Sequence, residues 1–134
     1  MTFTELRVDV VILACAISAG IHGALVRDHF REGARAGLGF VVATVLLALL
    51  AVILTRRPAQ LALISTAAVF AGLIGSYALA VTTGVPVLHP DVETVDGLAL
   101  FTKAVEAVGL IFAASLVGRS ALRLTVIQPK GTTT

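Results

Sequence analysis

Four apolar stretches, each about as long as a bilayer core is thick, constrain this chain more than any other feature. They run over 10–26, 36–55, 61–83 and 97–117. A helix rising about 1.5 Å per residue needs roughly 20 residues to cross the hydrocarbon. Lipid offers backbone amides no partner, so such stretches close their hydrogen bonds internally as helices. The first is short at its uncharged centre, and helix continuing into Asp9 and Arg27 supplies its interfacial ends. The expectation is an all-α chain: an integral membrane four-helix bundle over 1–127 and a disordered tail over 128–134. With 57% of the 134 residues hydrophobic and 13% charged, no room is left for a soluble domain.

The start of the chain tests an alternative. Residues 10–17 with Ala14-Cys15-Ala16 resemble a secretion signal, and Ile12-Leu13-Ala14-Cys15 faintly resembles a lipoprotein box. Glu5 and Asp9 against Arg7 give the wrong charge balance for a signal, and the apolar run before Cys15 is too short. A retained first span is expected. Cys15 is the single cysteine, which rules out an internal disulfide. A net charge of +2 with no basic stripe leaves no footprint for nucleic acid.

Lysine and arginine beside the spans set the orientation. Arg7, Arg56, Arg57, Arg119, Arg123 and Lys130 share one side, against Arg27, Arg31 and Arg35 on the other. Six against three favours both termini in the cytoplasm, with the chain expected in the cell (inner) membrane. Short connections make neighbouring helices antiparallel. Arg56-Arg57-Pro58 forms an inner turn with Pro58 at the start of the third helix. Thr83-Gly84-Val85-Pro86 carries the glycine-then-proline signal of a helix end, and Asp96 is placed to cap the fourth helix. Gly20, Gly23, Gly72, Gly75 and Ser76 leave flat surfaces for helices to approach, inside the bundle or between copies.

All three histidines fall on the outer side. Cys15, His22 and His29 recur every seven residues and share one helix face, about 10 Å apart. That spacing is too wide for neighbours in the row to grip one ion together. A metal would need His22 or His29 joined by His89, Asp28, Glu32, Asp91, Glu93 or Asp96, a donor set suited to zinc or copper rather than magnesium. The plainer alternatives are a buried His22 bonded to a helix carbonyl, and interfacial His29 and His89 in outer loops.

Lys103 and Glu106 are the second clue. They lie about two turns inside the fourth span and one turn apart, with Thr102 beside them. Charges at that depth cost roughly 2.5–3.5 kcal/mol each to insert and turn inward. Either they form an ion pair that sets helix register, or Glu106 carries protons along a short path from the histidine face.

Some chemistry finds no support. Spans two to four contain no histidine, so a haem held between two imidazoles is not expected. Ser18, Ser65, Ser76 and Ser115 have no base beside them and are expected to bond back to their helices. An enzyme is the least supported class.

Ser18-Ala19-Gly20-Ile21-His22, Asp28-His29-Phe30, Thr83-Gly84-Val85-Pro86 and Thr102-Lys103-Ala104-Val105-Glu106 together resemble a group of small four-span membrane proteins of high-GC bacteria. The resemblance covers most of the chain and implies the fold, with no activity attached. Length and span count are also similar to the small multidrug transporters. Those keep a glutamate in their first span, whereas Glu106 stands in the fourth.

Three readings follow for function. One is an outer-face histidine–carboxylate site that holds a transition metal. Another is an accessory subunit docked on a larger membrane complex. The last is a dimeric transporter coupled to protons or cations through Glu106.

Overall fold

The computed structural model describes residues 2–85 and 92–127, the stretch 119–127 by its backbone. His89, Asp91 and the tail 128–134 lie outside the described residues. Four helices account for nearly all the rest: α1 (Phe3–Glu32), α2 (Ala34–Arg56), α3 (Gln60–Thr82) and α4 (Gly97–Ile127). Each contains a window long and apolar enough to cross a bilayer. Pro58 stands between α2 and α3, where its missing amide hydrogen costs no ladder bond.

Helix α1 runs well past the expected span at both ends. At 30 residues it is about 45 Å long. Its start is set by Thr2-Phe3-Thr4-Glu5, a capping box that the sequence reading missed. The Glu5 amide donates to the Thr2 hydroxyl, and the Thr2 amide donates to the Glu5 carboxylate at 2.6 Å. The outer loop expected around Asp28-His29 is instead the last turn of α1. Gly33 by itself separates α1 from α2, in an extended conformation open to any residue. Arg27 and Arg31 are therefore helical, and Arg35 opens α2.

The inner turn also differs in detail. Arg57 is extended, as a residue before proline should be, and α3 starts only at Gln60. Pro58 precedes the helix rather than opening it. At the far end of α3, Gly84 takes φ 72°, a value that favours glycine, and reverses the chain. The Glu93 amide then donates to the Ala80 carbonyl at 3.0 Å, which ties the connection back over α3. Asp96 caps α4 by accepting from the Ala99 amide at 2.8 Å.

The helices form an up-down ring in which α1 packs most closely on α2, and α2 touches α3 least. Two halves of the bundle differ in content. Toward the termini, Val11, Leu47, Leu54, Phe70 and Ala113 fill the interior and are fully or almost fully buried. Gly109 makes this possible, because a Cβ there would overlap the Phe70 ring and press on Ala14. Gly23 packs against Thr44, whereas Gly20, Gly72 and Gly75 face open space. Those three small residues thus do not mediate helix contact within the chain. Toward the α1–α2 and α3–α4 connections the interior turns polar and opens into a cleft.

Candidate functional site

The cleft measures about 630 Å³ and is walled by all four helices and the segment before α4. Its walls are mostly apolar, with Phe40 of α2 and Tyr77 of α3 among the lining residues. His22 and Lys103 line its deep end, and Asp28, Glu32, Glu93 and Asp96 line it nearer the mouth.

Directly behind the deep end lies Glu106, whose side chain has no solvent exposure. Its carboxylate is held from two helices. Ser18 of α1 donates its hydroxyl to Oε1 at 2.8 Å, and Lys103 of α4 donates from Nζ to Oε2 at 2.6 Å. Lys103 also donates to the Leu73 carbonyl of α3 at 3.4 Å and stands 5.5 Å from the Tyr77 ring centre. An ion pair fixed this way satisfies the carboxylate, which alone in a low-dielectric interior would be strongly unfavourable. Thr102 turns back on its own helix and donates to the Leu98 carbonyl, so it does not reach Glu106.

His22 completes the cluster, and its tautomer follows from its partners. Nδ1 lies 2.9 Å from the Ser18 carbonyl oxygen, which can only accept, so Nδ1 carries the hydrogen. The Ser18 hydroxyl, its own proton given to Glu106, stands 3.3 Å from the same nitrogen as an acceptor. In the neutral ring Nε2 is then a bare acceptor, 3.9 Å from Glu106 Oε1, itself an acceptor. In that form two lone-pair atoms face each other with no hydrogen between them.

The arrangement repeats nearer the mouth. His29 Nδ1 donates to the Leu25 carbonyl at 3.0 Å, and its Nε2 faces Glu32 Oε2 at 3.9 Å. Phe40 links the two levels. Its ring stacks on His29 at 3.5 Å between centroids and lies tilted against His22 at 5.2 Å.

The expected metal-ligand set is therefore divided. His22 faces Glu106, His29 faces Glu32, and Asp28 pairs with Arg31 at 3.3 Å on the surface. Among the described residues no three histidine, cysteine or carboxylate side chains gather closely enough to hold an ion. The cause is the one-face row itself, since about 10 Å of rise separates its two imidazoles. His89 and Asp91 lie outside the described residues.

Ser18 is the member that sequence reasoning missed. The sequence leads one to expect its hydroxyl to bond back to its own helix, yet it donates across to α4. Its position four residues before His22 makes those two side chains neighbours, and nothing in the sequence says that they meet α4. Comparison of the chain with protein-family models, with curated proteins and with solved structures finds no match.

Proposed function

We propose that this is a multi-pass protein of the cell (inner) membrane that binds a small molecule in the cleft, against a floor made by His22, Lys103 and Glu106. Both termini face the cytoplasm and the cleft opens on the opposite side, in keeping with the distribution of arginine and lysine. A bilayer setting accounts for the exposed outer faces of leucine, valine and isoleucine on the helices, of which Leu38, Val42, Val45 and Leu49 on α2 are examples.

One observation carries the reading. A fully buried carboxylate, held from two helices, stands at the closed end of a cleft with mostly apolar walls. Ligand sites combine apolar walls with a few converging polar groups in this way, and this volume falls in their usual range of roughly 300–1,000 Å³. A purely structural ion pair would need no such cleft in front of it. The apolar half beyond Glu106 leaves the polar cluster open to one side, which favours binding over passage through the bundle.

Tyr77 provides the test, being the only tyrosine in a chain without tryptophan. Its emission reports on the cleft wall. Gly39 lines the cleft and has open space where a Cβ would stand, so Gly39→Leu fills the cleft without straining the fold. A screen of small molecules should find compounds that change Tyr77 emission in the parent and not in Gly39→Leu. Failure to find any, or hits that bind both proteins equally, would overturn the reading.

The metal reading has a narrower support: both histidines leave Nε2 free opposite a carboxylate oxygen. A zinc or copper ion there would need further ligands, for which His89 and Asp91 are the candidates. Elemental analysis of metal-loaded protein beside His22→Ala separates the cases. Near-stoichiometric metal lost in the variant would support an ion site, and no metal in either would end that reading.

A further inference from the structure

Resting on the cleft as a binding site, we infer that its ligand is an amphipathic alcohol or phenol, with one hydroxyl on an apolar body. The inference comes from what the deep end offers and what it lacks. In the neutral ring His22 Nε2 is an acceptor, because Nδ1–H is committed to the Ser18 carbonyl, and among the described residues no donor reaches it. Glu106 Oε1, 3.9 Å away, takes its hydrogen from Ser18 and gives none back. A ligand reaching His22 must therefore bring a hydrogen.

Lys103 decides what kind of donor that is. Its ammonium already neutralises Glu106 at 2.6 Å, so the floor has no net charge with which to hold a second cation. A ligand ammonium would also stand beside an ammonium. Among the described residues Lys103 makes two hydrogen bonds, to Glu106 and to the Leu73 carbonyl, out of the three that it can donate. The deep end thus presents a bare acceptor on α1 and a spare donor on α4. A hydroxyl donates and accepts from a single atom, as this pair of groups requires. An ether or a carboxylate lacks the hydrogen, and an ammonium lacks the lone pair. Farther out, the Tyr77 hydroxyl is buried without a hydrogen-bond partner among the described residues, on the wall of the same cleft. Phe40 and the aliphatic walls suit the apolar body.

The test uses four probes of one chain length: 1-octanol, octyl methyl ether, octylammonium and octanoate. Each is titrated into the full chain in lipid nanodiscs, with its own lipid partitioning subtracted. The ¹⁵N resonance of His22 Nε2 reports whether that nitrogen accepts a hydrogen bond. Octanol should move this resonance and bind about tenfold more tightly than the ether, the ratio expected for one buried hydrogen bond. His22→Phe should erase that ratio, and Gly39→Leu should abolish binding of all four. Equal binding of octanol and ether, or tighter binding of octylammonium or octanoate, would overturn the inference while leaving the cleft as a site. Probe binding that Gly39→Leu does not alter, or no binding by any probe, would overturn both.

Discussion

Lys103 and Glu106 could be paired from the sequence, because residues three apart on a helix are neighbours whatever the helix packs against. That Ser18 and His22 belong to the same cluster could not, since nothing local says which face of α1 meets α4. The cluster makes a sharp energetic prediction. Lys103→Met leaves a buried carboxylate without its counter-ion and should lower stability by about 3–5 kcal/mol. Adding Glu106→Gln should restore most of that loss, as the uncompensated charge is gone. Ser18→Ala removes a hydrogen bond to a charged acceptor and should cost about 1.5–3 kcal/mol. Reversible unfolding in mixed detergent micelles measures all three, and an additive double variant would show that the pair is not coupled.

At the scale of the element, helix existence was legible and helix ends were less so. Apolar length and the positions of the prolines mark four helices. The ends depend on caps a few residues long: Thr2 with Glu5, Gly84 and Asp96. Thr2→Ala should cost about 1 kcal/mol and speed amide exchange in the first turn of α1, with the other helices unchanged. Glycines separate by what lies opposite them. Gly109→Ala must displace the Phe70 ring and should destabilise by about 1–3 kcal/mol. Gly75→Ala points into open space and should be neutral or slightly stabilising in the same unfolding assay. Equal losses at both positions would contradict the packing of α4 between α1 and α3.

For the whole molecule, the bundle divides into an apolar half toward the termini and a polar half that holds the cleft. Under the proposed binding function, orientation in the membrane decides which compartment the cleft faces. On a Cys15→Ala background, Gly33→Cys stands at the cleft end of the bundle and Arg57→Cys at the opposite end. A membrane-impermeant maleimide should label Gly33→Cys in intact cells and reach Arg57→Cys only after permeabilisation. The reverse pattern would place the cleft in the cytoplasm.

By itself the sequence determined the number of helices, their suitability for a bilayer, their antiparallel succession and the inward turn of Lys103 and Glu106. Each of these follows from interactions within a few residues or from the cost of polar groups in lipid. Only the tertiary structure decided that Ser18 reaches Glu106, that His22 and His29 face separate carboxylates, and that a cleft ends at the ion pair. Such facts depend on the rotation of each helix about its axis. That rotation is set by side chains far apart in the chain, Gly109 against Phe70 and Gly23 against Thr44 among them.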